Sequence, residues 1–303
     1  MRIDKSVLAI AAVVALVVSG CTGGNSASPA ASAGASRTAA VATPTPANPD
    51  TLFDQAIAEG PAWKSFHLEI ALSGTITAAA MKASGNPSWK NIKSDVSLDG
   101  TTIEGDMDPV HLACDLTVSI PATAATGAAI TGEAIVLDPM LYLKLSSEGP
   151  KYHKVKLGTI SGQLGLKVAV PTPGGSSLVG LANDVSTLRQ NLEAAGVRPT
   201  LMGMDLVGGR DAYHIDLSLP LDKFNEDIAS AATKPGASFL KQVKIESATA
   251  AIWIYTTDYQ LAQVQISGIS SAVGSVSFTM TLTNFDQPVT ITAPPASDVK
   301  AGA

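Results

Sequence analysis

HLEIALSGTI, residues 67–76, alternates between polar and apolar side chains along its length. Successive side chains of a β-strand point to opposite faces of the sheet, so the apolar positions that begin at Leu68 and Ile70 share one face. The polar positions that begin at His67 and Glu69 share the other face. The stretch therefore predicts a strand in a sheet that is buried on one side and meets water on the other.

The same period of two recurs along most of the chain that follows. Short turn signals, among them Asp138-Pro139 and Gly208-Gly209, separate the alternating runs. We therefore expect about ten or eleven strands, joined for the most part as antiparallel hairpins. The clearest further runs lie at residues 112–120, 141–145, 215–219, 252–254, 264–266 and 276–282.

Three segments instead space their apolar residues as a helix does. Residues 51–59 and 176–195 carry apolar side chains three or four positions apart, and Gly196 is a suitable helix end. A third, short helix is expected after Pro220. Because helices with one apolar side and a one-sided sheet can bury those sides against each other, we predict an α+β fold. In it, helices cover the concave face of a large, curved antiparallel sheet that forms a half-barrel.

Residues 1–20 carry the features of an export signal. Arg2 and Lys5 precede an uncharged apolar core at 7–18, which is shorter than the roughly 20 apolar residues of a transmembrane helix. Small residues then lead directly into Cys21, an ending that resembles the lipobox of bacterial lipoproteins. That resemblance implies cleavage before Cys21 and a diacylglyceryl group on its thiol, which would hold the protein on the outer face of the cell membrane. The alternative is a plain signal peptide in which Cys21 is coincidental.

The segment after Cys21 has the composition of a linker. Residues 22–50 are rich in Ala, Ser, Thr, Gly and Pro and hold few large apolar side chains. Such a segment buries too little surface to offset the entropy of ordering it, so we expect residues 21–50 to be an acylated cysteine and a flexible spacer. A single domain is expected to span residues 51–297, and residues 298–303 are expected to form a tail.

Charge and cysteine content limit the classes of partner and of covalent link. The formal net charge of −6 argues against nucleic acid and against electrostatic adhesion to anionic lipid. With Cys21 acylated, Cys114 is the remaining thiol, so no disulfide within the chain is expected. Cys114 shares its parity with Leu116 and Val118, which predicts a buried, inert cysteine on an apolar strand face.

The common motifs of catalytic and metal sites are absent from the sequence. The four histidines do not form HExxH, and neither GxSxG nor GxxxxGK[ST] occurs. Glu104, Asp106 and Asp108 form an acidic run whose spacing lacks the ligand order of an EF-hand. We therefore expect a protein that is not an enzyme and that has no catalytic residues, bound metal or cofactor.

Three motifs resemble those of the LppX/LprAFG family of bacterial lipoproteins. The first is MDLVGGRDAYHI at residues 204–215, where Val207, Gly209, Tyr213, His214 and Ile215 match a "V-x-G-x-x-x-Y-H-apolar" hairpin. The second is AIWIYTTDYQL at 251–261, and the third is the ending QPVTITAPPA at 287–296. With the lipobox and spacer, these motifs follow the order usual in the family and cover most of the chain outside 78–130.

The resemblance implies a fold like that of the lipoprotein carrier LolA, with an apolar cavity between sheet and helices. Such a cavity would hold the acyl chains of a lipid or lipoglycan, which a monomer would carry across or within the cell envelope with an envelope transporter as partner. The alternatives are an interaction or regulatory module whose apolar faces only pack against the helices, and a lipoprotein that binds a metal or small solute. The candidates for lining the cavity are Ile70, Leu72, Leu116, Val118, Ile254, Ile266 and Phe278.

Overall fold

The computed structural model describes residues 48–59, 63–83, 91–122, 127–157, 193–231, 244–270 and 272–300. Within these ranges the chain forms one twelve-stranded sheet and three α-helices. The helices are α1 (Pro49–Glu59), α2 (Ala78–Ala83) and α3 (Leu221–Ala231), and a 3-10 turn lies at Ala296–Asp298. The strands are β1 (Phe66–Ile76), β2 (Val96–Ser97), β3 (Thr101–Asp108), β4 (Ala113–Ile120), β5 (Ile130–Leu137), β6 (Met140–Leu145), β7 (His153–Lys156), β8 (Arg198–Val207), β9 (Arg210–Ser218), β10 (Ser247–Tyr255), β11 (Leu261–Ser270) and β12 (Gly274–Thr283).

The strand order is β7-β6-β5-β4-β3-β1-β12-β11-β10-β9-β8, with the two-residue β2 beside β1. All of the pairings between named strands are antiparallel. The first and last long strands, β1 and β12, lie side by side in the middle, and β7 and β8 are the two edges. The sheet is therefore open, and the prediction of a large, curved antiparallel half-barrel is confirmed. The count of twelve exceeds the ten or eleven expected from the sequence because it includes β2.

The hairpin turns follow from their residues. Gly208 and Gly209 join β8 to β9 with φ angles of +57° and +79°, the two positive values that a type I′ turn requires. Gly105, within β3, has a φ of +153°, and a Cβ atom there would lie 1.9 Å from the carbonyl oxygen of Asp115 on β4. Glycine is thus needed at this position for β3 and β4 to approach each other.

Helix α1 covers one part of the sheet. Its Leu52 and Ala56 are 4% and 6% exposed and pack with Ile215 of β9 and with Ile252 and Ile254 of β10. These five side chains form a cluster distinct from the main core. The helix predicted at 51–59 is therefore confirmed, and it packs on the apolar side of β9 and β10.

The other two described helices are short. Helix α3 begins directly after Pro220, as the sequence predicts, and the Asn225 side chain holds the backbone of Ile245 by hydrogen bonds of 2.8 and 2.9 Å. Helix α2, AAAMKA, was not predicted, because six residues without an apolar stripe give no helical periodicity. The helix predicted at 176–195 lies outside the described residues apart from its last three positions.

Residues 298–300 pair with Tyr152, which lies directly before β7. The Tyr152 N–H donates to the carbonyl oxygen of Asp298 at 2.7 Å, and the Lys300 N–H donates to that of Tyr152 at 2.8 Å. Val299 pairs with Tyr152 as a parallel bridge. Residues 298–300, which the sequence suggested as the start of a tail, thus pair beside β7.

Candidate functional site

The register of the strands aligns apolar residues across ten neighbouring strands of the sheet. Starting from Ile70 of β1, each cross-strand partner is apolar or glycine, out to both sides. We call this set the ten-strand row. It consists of Leu145, Gly132, Val118, Ile103, Ile70, Met280, Val264, Ile252, Ile215 and Leu201. At about 4.8 Å between strands, the row extends over roughly 40 Å of curved sheet. Its face of the sheet is called the apolar face.

A second row on the apolar face is less covered. Leu72 of β1 pairs with Phe278 of β12, which in turn pairs with Ile266 of β11. Leu72 and Phe278 are half-buried, and Ile266 is 47% exposed. We call these three residues the open row. Met280 and Val264, their neighbours in the ten-strand row, are also half-buried.

The exposed fraction of side chains on the apolar face decreases with distance from the open row. On the far side of the ten-strand row lie Leu68, Leu116 and Leu282, each at most 3% exposed. These residues belong to the main core, which also holds Ile70 and Val118. Among the described residues, the apolar face is therefore buried at one end of the strands and more exposed near the middle of the sheet at the other end.

All seven residues predicted to line a cavity lie on the apolar face. Their strands and registers place them there together, although alternation within each strand does not predict the pairing. Four are buried, at 3% exposure or less, and the half-buried or exposed ones are the three residues of the open row. Contact with a ligand stays a prediction for each of them. The four buried residues are Ile70, Leu116, Val118 and Ile254.

Several residues of the apolar face were not among the candidates. Met280 and Val264 flank the open row and were visible in the sequence only as members of alternating runs. Ile103 connects the rows of β1 and β4, but it lies in the segment that carries no family motif. Parity along each strand could have identified all three, whereas the cross-strand register was needed to show that they meet.

The opposite face of the central strands is polar. Glu69, Glu104 and Thr117 are cross-strand neighbours in one row, which continues to Glu133 and Lys144. A groove of about 460 Å³ on this face is lined by polar side chains that include the last two. The central sheet is thus one-sided, as the alternation at residues 67–76 predicts.

On the polar face, the pKa values of two carboxyl groups are shifted in opposite directions. Burial raises the pKa of Glu133, but hydrogen bonds from Lys144, 2.5 Å away, and from Tyr152 outweigh it and leave that pKa lowered. The pKa of Asp115 is raised by its burial and then by the negative charges of Glu133 and Asp106. Asp106 lies directly opposite Asp115 on the neighbouring strand.

The histidines lie beside carboxylates. His67 is 2.8 Å from Asp106 on the polar face, and His111 is 2.7 Å from Asp108 in the β3–β4 turn. His153 is 2.7 Å from Glu148. Across the described residues, no group of three or more His, Cys, Asp or Glu side chains is arranged to hold a metal ion.

His214, from the first family-like motif, lies between two carboxylates. Its Nδ1 is 3.0 Å from Asp205 and its Nε2 is 3.1 Å from Asp216. The imidazole stacks on Trp253 with ring centroids 4.4 Å apart, and the Trp253 Nε1–H donates to Asp205 at 3.0 Å. The motif residues of β8, β9 and β10 are therefore joined by a polar cluster on the side of the sheet opposite Ile215 and Ile254.

Of the two cysteines, Cys114 lies within the described residues and Cys21 does not. Cys114 is 1% exposed, which confirms the prediction of a buried thiol on an apolar strand face. Cys21 lies outside the described residues, so acylation stays a prediction. Of the helices in the described ranges, none combines the length and apolar composition needed to cross a membrane.

The chain is similar in structure to known lipoproteins at low sequence identity. No family model matches it, and no curated protein does. Against the lipoprotein LppX of Mycobacterium tuberculosis the identity is 14%, the TM-score is 0.44, and the match covers 80% of this chain and 97% of that one. Against LprF of Mycobacterium bovis the corresponding values are 14%, 0.40, 81% and 96%. Against a chain of the MucA/MucB complex of Pseudomonas aeruginosa they are 11%, 0.32, 84% and 62%. LppX and LprF bear names of the family that the sequence motifs resemble, and at these identities the likeness concerns the fold alone.

Proposed function

We propose that this chain is a lipoprotein, acylated at Cys21 and held on the outer face of the cell membrane, that binds a lipid or lipoglycan by its acyl chains. It carries this amphiphile within or across the cell envelope. The observation that carries the proposal is the open row, in which Leu72, Phe278 and Ile266 stand side by side on the apolar face without full cover. Binding and release of acyl chains there require no cofactor.

Burial of apolar surface supplies the affinity. Each Å² of apolar surface removed from water contributes about 25 cal/mol, whether a protein side chain or an alkyl chain covers it. The open row and its half-buried neighbours Met280 and Val264 offer such surface on three adjacent strands. An alkyl chain laid along them would gain burial without displacing the core beneath.

The polar face and the charge of the chain fit a tethered carrier. Glutamates and threonines keep the outer side of the central strands in water, so a lipid is directed to the apolar face. The formal net charge of −6 provides no attraction to anionic lipid. Electrostatic attraction therefore does not hold the chain on the membrane, and acylation at Cys21 supplies the stable anchor.

Native mass spectrometry of the chain from residue 22 to 303, purified from bacterial cells, tests the proposal. We expect mass additions that correspond to bound lipid. The variant Ile266→Asp places a charge in the open row and should lose most of them. Gln265→Asp is the matched control, because Gln265 lies next in sequence but on the polar face, opposite Ala251 and Thr279. Wild-type protein that is always free of lipid would contradict the proposal, and it would favour an interaction module.

A further inference from the structure

We infer that the edge strand β8 docks on the surface of a phospholipid bilayer through Met202, Met204 and Leu206. The inference rests on the proposed function in taking the chain to be tethered at Cys21. These side chains are 57%, 66% and 72% exposed. Among the described residues, the other large apolar side chains with comparable exposure are Val110, Ile266 and Ile269, which lie apart from β8. Exposed apolar surface is thus concentrated on one edge, where it is costly in water.

The register connects this edge to the apolar face. Met204 pairs with Tyr213 of β9, and Tyr213 pairs with Ile254 of β10. Leu206 has the same parity as Met204, so both belong to the side of the sheet that carries the ten-strand row. A bilayer that meets β8 therefore meets the rim of the surface proposed to hold acyl chains.

The described chain begins near the same edge. Helix α1 packs against β8 and β10, and Leu201 of β8 lies in its cluster. An eleven-residue helix is about 16 Å long, so the residue that follows the tether lies within about that distance of its contact with β8. Fully extended, the chain from Cys21 to Asn48 spans at most about 95 Å. This length allows β8 to contact the bilayer while Cys21 is anchored in it. At the other edge, Tyr152, which directly precedes β7, is already paired with residues 298–300.

The edge is better suited to lipid than to a partner strand. Pro199 has no N–H to donate, and the register of β8 shifts between Leu201 and Gly203. Such interruptions hinder a regular ladder with a further strand. They leave the Met and Leu side chains free to enter the boundary between headgroups and acyl chains, where water and headgroups can still satisfy the backbone.

Fluorescence of a probe at Met204 tests the docking. The full-length, acylated protein with Met204→Cys is labelled with an NBD maleimide and reconstituted in phosphatidylcholine vesicles. Cys114, at 1% exposure, is shielded from the reagent. We expect the emission to shift to shorter wavelength on reconstitution, also at high salt, because the contact is apolar. Ile269→Cys is the matched control, since Ile269 is 51% exposed and distant in sequence, and its probe should stay in water.

A second measurement removes the docking side chains. The chain from residue 22 to 303, which has no anchor, is mixed with phosphatidylcholine vesicles in a flotation assay. Its partition coefficient onto the vesicles should be about 100-fold higher than that of its Met202→Ser, Met204→Ser, Leu206→Ser variant. The double variant Val110→Ser, Ile269→Ser should float like wild type. The triple variant should still take up lipid from detergent micelles, because the open row is intact.

The outcomes separate the docking from the proposed function. Equal emission at positions 204 and 269 in a tethered chain would refute the docking and leave the carrier standing. A shift at position 204 in vesicle-free solution that grows with protein concentration would also refute it, in favour of a second copy pairing along β8. If the full-length protein, produced in a strain that acylates lipoproteins, does not associate with vesicles at all, both the anchor and the docking are refuted.

Discussion

Replacing Ile266 with serine changes the most exposed side chain of the open row. Ile266 pairs with Phe278 on one side and with Ala250 on the other, and it is 47% exposed. Serine removes the apolar surface that an acyl chain would cover and keeps the strand backbone. Because the side chain is half in water in the free protein, we expect the free energy of unfolding to fall by less than about 1 kcal/mol.

The loss of affinity follows from the uncovered half of this side chain. Full burial of an isoleucine side chain contributes about 1.5–3 kcal/mol. A ligand that covers the exposed 47% would gain about 0.7–1.4 kcal/mol from it. The serine variant should therefore bind an acyl ligand about 3- to 10-fold more weakly.

Titration of delipidated protein with cis-parinaric acid, a fluorescent fatty acid, measures this difference. Ile269→Ser is the matched control, because Ile269 lies on the same strand with 51% exposure but pairs with Ser247 and Ser275 on the polar side. Its affinity should equal that of the wild type. Equal affinities for all three proteins, or the same loss in both variants, would refute the assignment of acyl binding to the open row.

Three further predictions concern stability and location. Leu116→Ala, at a fully buried position of the apolar face, should lower the free energy of unfolding in urea by about 2–5 kcal/mol, and a loss below about 1 kcal/mol would mean that Leu116 faces open space. Asp115→Asn should raise stability by up to about 1 kcal/mol near neutral pH, because Asp106 lies opposite. The pKa of Asp115 is raised in the folded protein, so the wild type loses stability as pH rises from the ordinary value of 3.8 through the raised one. In urea titrations at lower pH, the stability difference between Asp115→Asn and the wild type should therefore disappear. Cys21→Ala should abolish acyl labelling of the protein and its function in the cell, and a variant that still incorporates radiolabelled palmitate would contradict acylation at that residue.

Local alternation was sufficient to predict β1 and its buried face. Leu68 and Ile70 are buried and Glu69 is exposed, as the period of two at residues 67–76 requires. The Gly208-Gly209 turn was likewise predicted from its residues, because few others adopt two positive φ angles. These features depend on neighbours in the sequence, and the sequence therefore contains them directly.

Pairings between distant strands could not be predicted in the same way. β1 lies between β3 and β12, and its contact with β12 joins residues at opposite ends of the domain. Periodicity assigns a face to Ile70 and to Met280 separately, but it does not say that they are partners. The ten-strand row became visible only when the register was known.

The division between core and open surface was also beyond the sequence. Leu116 and Ile266 have the same signature, an aliphatic residue at an apolar position of a strand, yet their exposures are 0% and 47%. Exposure depends on what lies above each residue, and this is set by the packing of the whole fold. Both residues were candidates for the same cavity, and only Ile266 stands open.

Photo-crosslinking with a lipid that carries a diazirine in its acyl chain tests the central claim most directly. After binding and irradiation, tandem mass spectrometry assigns the modified residues. Acyl binding on the apolar face predicts adducts on Leu72, Phe278 and Ile266, and none on Gln265 and Thr279, their neighbours in sequence on the polar face. Adducts on Gln265 and Thr279, or a saturating lipid that leaves the open row unmodified, would contradict the claim.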